Sequence, residues 1–348
     1  MKNFSKIEVA WWPADKKAKL YSSKARAWWH IDYLQKNFND LIIKPYGEKG
    51  DILILQKPLR LSLRQKIEPL LKNFKIVIFD LSDGVADISE EESQKLGIIG
   101  LSNFKVFSQK ADFFVVNGIG LQKWIEDKIQ KPAFIIEDPY HIGYNTKFVK
   151  EHKETNSLKV AWHGGGKLAA LFVEGYLKGN SQELLRSYDN QEAYLGDLNE
   201  LLKTRVTVFA DLSYFKYKKS KKTIFKLHPQ YPKLFKKLIK YDIGIAPYWM
   251  WDPDCFCKST NKIDAMMLVG LPIIATPIPE NKRLIVNGVN GFLCETKQEW
   301  IDAFSQLQSR DLREKIGLAG RATVIEKRSV PFLANQWRKL FIQYAKSI

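Results

Sequence analysis

Short apolar runs bounded by turn-forming residues recur through the first part of the chain: IEVAWW (7–12), DLIIKPY (40–46), DILILQKP (51–58), KIVIFDLSD (75–83), ADFFVVNG (111–118) and PAFIIEDP (132–139). Each has the length and apolar density of a strand buried on both faces. Longer stretches with apolar residues three and four apart lie between most of them, at 22–38, 61–74, 89–108 and 120–130. That spacing predicts amphipathic helices. Strands alternating with helices predict a parallel sheet covered on both sides.

Residues 141–157 are polar and follow neither period, and 146–157 are expected to form a linker. A second series then begins, with strands expected at 158–164, 206–213, 223–229, 242–249, 271–277 and 291–295. Helices are expected at 167–187, 190–203, 230–240, 260–269, 297–308 and 311–327. The last segment, 328–348, reads as a further amphipathic helix, with Phe332, Trp337, Leu340, Phe341 and Tyr344 near one face. The expected fold class is therefore α/β, with two doubly wound, Rossmann-like domains over 1–145 and 158–327 and a terminal helix. Sheets of this kind bind ligands at the carboxyl ends of their strands.

Composition narrows the function. The chain has 348 residues, 45% of them hydrophobic, enough for two packed cores. No apolar run reaches the roughly 18 residues that a membrane span needs. The N-terminal segment lacks the apolar stretch of a secretory signal, so a cytoplasmic protein is expected. Cys255, Cys257 and Cys294 cannot pair fully and show no zinc-site spacing, so they read as plain buried thiols. The net charge of +17 draws the chain to anions, whether nucleic acid, anionic lipid headgroups or phosphorylated substrates, and does not choose among them. Ten tryptophans beside many lysines suit a membrane interface, though core packing is the plainer reading. The run FKYKKSKK (215–222), with five lysines, reads first as a solvated surface turn, with a dedicated anion or lipid patch as the alternative.

Candidate chemistry concentrates at KSTNKIDAMMLVGLPIIATP (258–277), which follows the run DIGIAPYW. Ser259 and Thr260 are good N-cap residues, and Asn261 follows them into the helix. A helix start attracts phosphate through its unpaired N–H groups, and Lys258 and Lys262 add cations beside it. Asp264, in the first turns, suits the paired hydroxyls of a ribose. Gly270 and Pro272 mark the end of the helix and the start of the next strand. An ordinary capped helix in a βαβ unit accounts for the same spacing. A second signal is VAWHGGGK, where His163, Gly164, Gly165 and Gly166 form a turn that admits a close diphosphate and Lys167 supplies charge. A tight strand–helix connection explains this run too. In the first half, Lys24 and Arg26 open a long helix within reach of phosphate or acceptor, and Asp83 and Asp138 end apolar strands. His30 lies between aromatic residues and reads as packed.

The segment DIGIAPYW…KSTNKIDAMMLVGLPIIATPIPENKRLIVNGVNGFL resembles the donor-domain signature of GT-B glycosyltransferases, above all the large retaining family with group-1 type C-terminal domains. About fifty residues carry the match, and the two-domain plan with its terminal crossing helix agrees with it. The resemblance implies a GT-B fold in which two Rossmann-like domains face a cleft. It implies sugar transfer from a nucleotide donor to an acceptor hydroxyl, with retention and without a bound metal or other cofactor. Asp264 stands where the family has a ribose-binding glutamate, one methylene longer. Eight residues earlier, where that family often carries a sugar-binding glutamate, this chain has Phe256, and Asp252 or Asp254 are substitutes for it. Trp249 and Asp254 are further sugar or acceptor candidates, with Asp83 and Lys24. Lys258, Lys262, Lys167 and the helix N–H groups are expected to stabilise the leaving diphosphate, and Lys167, Lys262 and Arg26 are the catalytic candidates. The acceptor expected from charge and aromatic content is a glycan or a lipid-linked glycan at an anionic inner membrane surface, as in capsule, O-antigen or cell-wall assembly. A DNA-modifying transferase of the same architecture and a nucleotide-sugar binding module without turnover stay open as alternatives. No nucleic-acid reading module is present in the sequence, so nucleic acid is not the expected partner.

Overall fold

The structure is a computed structural model. It describes residues 6–18, 21–59, 61–82, 91, 94–95, 98–140, 147–164, 206–210, 223–227, 233–248 and 257–345. The chain forms two compact units: Met1–His141 with Cys257–Ser259 and Lys327–Ile348, and Ile142–Phe256 with Thr260–Glu326.

The first unit is built on six parallel strands, β1 (Ile7–Trp12), β2 (Leu41–Pro45), β3 (Gly50–Gln56), β4 (Phe74–Leu81), β5 (Phe113–Val116) and β6 (Ala133–Ile135), in the order β2-β1-β3-β4-β5-β6. All pair in parallel, as continuous apolar runs without polar alternation require. The helix expected at 22–38 is interrupted. An α-turn at Tyr21–Ser23 passes into a π-helical segment, Lys24–Trp28, and only then into the α-helix Trp29–Asn37. The helix expected at 61–74 is α-helical over Leu61–Ile67 and tightens to a 3₁₀ helix over Glu68–Asn73, where Pro69 cannot donate. Helices Leu101–Ser108 and Ile119–Ile129 complete the described cover.

The terminal helix, Val330–Ala345, packs on this first sheet. Leu333, Trp337 and Phe341 enter the same core as Trp11, Ile31 and Phe113. The Trp337 ring lies 4.9 Å from that of Trp11, and Tyr344 stacks 4.3 Å from Phe113. Each fully buried large side chain contributes about 1.5–3 kcal/mol. Their burial supplies the tertiary support without which an isolated helix of this length is only marginally stable.

The second unit repeats the plan with β7 (Val160–His163), β8 (Val206–Ala210), β9 (Thr223–Leu227), β10 (Ile243–Ala246), β11 (Ile273–Ala275) and β12 (Phe292–Leu293). Their order is β12-β11-β10-β7-β8-β9. The chain starts in the middle, steps outward through β8 and β9, and returns to build the other half from β10. The strand order therefore reverses between β7 and β10, the position at which doubly wound sheets open a ligand crevice. Described helices are Lys233–Leu238, Asn261–Leu268, Pro279–Leu284, Lys297–Gln306 and Arg310–Lys327. The helix Pro279–Leu284 had no expectation from periodicity, and the helices expected at 167–187 and 190–203 lie outside the described residues.

The polar 146–157 stretch belongs with the second unit from Lys147 onward, rather than hanging free as a linker. The Lys150 N–H donates to the Val269 carbonyl at 2.8 Å, and its ammonium pairs with Asp242. The ring of His152 reaches the Gly270 carbonyl at 3.0 Å, and Arg313 donates to the Lys153 carbonyl at 2.7 Å. These bonds replace the apolar periodicity whose absence suggested a linker.

Candidate functional site

Three elements meet at the reversal of the second sheet. β7 ends at His163, β10 ends at Ala246, and the helix Asn261–Leu268 follows the loop after β10. Gly244 on β10 lets that helix pack close, because a Cβ there would lie 2.7 Å from the Met266 sulfur. The helix stops in a Schellman motif. Gly270, at φ +80°, donates to the Met267 carbonyl, and Leu271 donates to that of Met266.

Lys262, in the first turn, leans across the end of β7. A Cβ on Gly164 would fall 2.9 Å from the Lys262 Cε and 2.6 Å from the Trp162 ring, so only glycine admits both side chains. The Lys262 ammonium donates to the Tyr248 hydroxyl at 2.9 Å. It stands 4.6 Å from the Tyr248 ring centre and 5.9 Å from that of Trp162. Ring faces attract a cation by about 0.5–2 kcal/mol each, which fixes the ammonium at the crevice. The His163 Nε2 lies 2.9 Å from the Lys262 carbonyl oxygen. A carbonyl only accepts, so Nε2 carries the hydrogen and Nδ1 is left as the ring's acceptor.

The helix start differs from expectation. Thr260 precedes the first helical residue, Asn261, but its hydroxyl does not cap a backbone N–H. It donates instead to the Asp264 carboxylate at 2.7 Å. Asp264 is wholly buried, and its carboxylate accepts from the Thr260 hydroxyl one turn earlier. Lys258 and Ser259 are half-buried and group with the first unit.

Arg26 was expected to reach phosphate, and its surroundings in the first unit oppose that. The π-helical segment turns it inward, where it is 1% exposed. Its Nε and a terminal nitrogen donate to Asp80, and the other terminal nitrogen donates to Asp138 and to the Ile136 carbonyl at 2.8 and 2.9 Å. Burial alone would lower the guanidinium's pKa, but Asp80 and Asp138 raise it above its ordinary value, so the cation persists. Burial in turn pushes Asp80 upward against the pull of Arg26. His30 stacks on Trp11 at 6.2 Å, and burial together with the nearby Arg26 pushes its pKa down to about 3, so it is a neutral packed ring. Cys294 is buried as expected; burial, then Glu299 and Asp302, push its thiol up to about 12.

Lys24 is half-buried on the same π-helical segment as Arg26. Gly165, Gly166, Lys167, Asp83, Trp249 and Asp254 lie outside the described residues. The triplet Asp252-Pro253-Asp254 also lies there, and it has the Asp-x-Asp spacing that metal-dependent transferases use. Periodicity overlooked Tyr248 and Trp162, which hold Lys262; both sit at strand ends, where aromatic residues read as core. Asp80 was overlooked as well, although a carboxylate directly after the apolar run IVIF was a signal that a buried cation would face it. The NGVNG turn is structural: Gly288 takes φ +76°, and Asn290 bonds Val286, Leu284 and Thr323.

No family model matches the sequence, and no curated protein matches it. Solved structures do match by shape. A glycosyltransferase from Rickettsia africae superposes with a TM-score of 0.61 at 13% identity, over 99% of this chain and 100% of that one. HepE from Anabaena, crystallised with UDP and glucose, gives 0.58 at 12% identity, over 97% and 100%. An α-glucosyltransferase held with UDP and a DNA containing an HMU base gives 0.60 at 9% identity, over 97% and 100%. These are glycosyltransferases, and the chain has their fold, GT-B.

Proposed function

We propose that this chain is a glycosyltransferase whose nucleotide-sugar donor places its diphosphate at the β7–β10 crevice of the second unit. The observation that carries the reading is the Lys262 ammonium, fixed between Tyr248 and Trp162 where the strand order reverses. In the reaction the bond from the anomeric carbon to the diphosphate oxygen breaks, and negative charge grows on that oxygen. A preorganised cation in a half-buried site stabilises such charge. Lys262 is that cation. Gly165, Gly166, Lys167 and Lys258 are the further residues that the sequence offers to the phosphates. The acceptor hydroxyl attacks the anomeric carbon and releases its proton. A ribose gains Asp264 by exchanging its own hydroxyls for that of Thr260, which keeps the buried carboxylate satisfied. Arg26 is removed from the reacting groups and assigned to holding the first sheet's strand ends.

UDP is the first donor to test, since HepE and the α-glucosyltransferase were each crystallised with it. The finer reading is a retaining, metal-independent transfer to a glycan or lipid-linked acceptor in bacterial surface polysaccharide assembly, at the cytoplasmic side of a membrane. Retention and metal independence rest on the family resemblance, and the acceptor and membrane surface rest on the charge and aromatic content of the chain. Glucosylation of DNA is the second reading, favoured by the DNA-bound neighbour and by the charge of +17.

A thermal-shift panel of UDP-, GDP-, ADP-, dTDP- and CMP-sugars, run with and without Mg²⁺ or Mn²⁺, tests the site. A ligand at a hundred times its dissociation constant adds about 2.7 kcal/mol to the folded state. The expected result is a UDP-sugar shift that needs no metal and that Lys262→Met abolishes without lowering the unliganded midpoint. A panel with no response, or a variant that responds like the parent, overturns the assignment.

A further inference from the structure

Residues 212–241 hold ten lysines, no arginine and no acidic residue, and so supply ten of the chain's seventeen net positive charges. Within that span the structure describes β9, the edge strand of the second sheet, and the helix Lys233–Leu238. The helix buries Leu234, Phe235 and Leu238. Lys233, Lys236, Lys237 and, just beyond the helix, Lys240 are all exposed. Their spacing of three, four and seven residues puts them on one face. None of the four enters an ion pair among the described residues, whereas surface lysines such as Lys36, Lys44 and Lys95 each meet a carboxylate. Like charges one turn apart repel, and among the described residues no carboxylate pairs with the row to offset this.

We propose that this lysine face docks the second unit on an anionic lipid surface. A row of four or more basic residues on a helix whose apolar side is already buried offers diffuse attraction to phosphate headgroups. Nucleic acid fits less well. The span has no arginine to fork onto phosphates or guanine, and Phe235, the aromatic residue of the helix, is 1% exposed and so cannot stack on a base. The face is also separate from the donor crevice. Lys240 lies just ahead of the amino end of β10, while His163 and Lys262 stand at the carboxyl ends of β7 and β10. Docking through it leaves the crevice open, and the proposal does not rest on sugar transfer.

The test is co-sedimentation of the whole chain with phosphatidylcholine vesicles, with or without about 30% phosphatidylglycerol. Two variants accompany it: Lys233→Gln, Lys236→Gln, Lys237→Gln and Lys240→Gln together, and the same four positions changed to Arg. The expected result is binding only to the anionic vesicles, loss of it at high salt, and a roughly hundredfold weaker partition for the glutamine variant, given about 1 kcal/mol per lysine at a membrane less screening. The arginine variant keeps the binding, and both variants keep the parent's thermal midpoint. Absence of binding to anionic vesicles overturns the proposal, as does a glutamine variant that binds like the parent. Retention on duplex DNA that the glutamine substitutions abolish, with vesicles ignored, overturns the lipid assignment and makes the face a nucleic-acid surface.

Discussion

Arg26→Met removes a buried charge while keeping most of the side chain's volume. In the parent, one guanidinium faces Asp80, which is fully buried, and Asp138, which is 4% exposed. Taking away the cation strands two carboxylates in a site that water does not reach. Removing one partner of a buried ion pair costs about 3–5 kcal/mol. That cost varies with pH, and the sign follows from linkage. Without Arg26, the carboxyl of Asp80 rises further above its unfolded value of about 3.9, because burial is no longer opposed. The folded variant then binds a proton that the unfolded chain gives up. Its stability is fully present below about pH 4 and is lost as pH rises through the raised pKa, by about 1.4 kcal/mol per pH unit. His30 acts in the same direction, since part of its depression comes from Arg26, so the variant loses less at acid pH. The gap between parent and variant therefore widens from pH 5 to pH 8. Urea unfolding followed by circular dichroism at several pH values measures it, with Arg26→Met/Asp80→Asn expected to recover part of the loss at pH 8. A loss below about 1 kcal/mol at pH 8, or a gap that narrows as pH rises, refutes the argument.

Two further outcomes follow from the same geometry. His30 is depressed to about 3 against an unfolded value near 6.5, so the parent loses stability as pH falls through that window; about 2 kcal/mol goes by pH 5, and His30→Phe flattens the profile in the same unfolding assay. Gly164→Ala places a Cβ 2.6 Å from the buried Trp162 ring and 2.9 Å from the Lys262 stem. Overpacking costs about 1–3 kcal/mol, so the thermal midpoint falls and UDP affinity by calorimetry weakens with it; an unchanged midpoint and affinity show that the ring and stem yield freely.

The strands were legible because a strand buried on both faces must be apolar throughout, and runs such as DILILQKP and ADFFVVNG have no other comfortable fate. The end of the helix Asn261–Leu268 was legible too, since Gly270 takes a positive φ that other residues resist. Its start was not. Thr260 carries the residue type of an N-cap, yet its hydroxyl is drawn to Asp264, one turn on, by a stronger charged acceptor. The phosphate role expected of Arg26 failed for a related reason. Its position at the opening of a long amphipathic pattern suggested a helix start within reach of phosphate, and the π-helical turn that points it inward leaves no mark on periodicity.

What the sequence determined by itself was the described strands and most of the described helices, because the period of apolar residues encodes burial directly. It also determined the concentration of charge in 212–241. The tertiary structure decided which elements share a core and which polar groups meet. By periodicity alone the terminal helix could have covered either sheet; the family resemblance implied a return to the first domain, and the helix joins the first sheet through Trp337 and Trp11. Arg26 finds Asp80 and Asp138 at separations of 54 and 112 residues, and His163 finds Lys262 at 99. Such partners are set by strand order, and strand order is fixed by packing among elements whose apolar faces, read singly, are interchangeable.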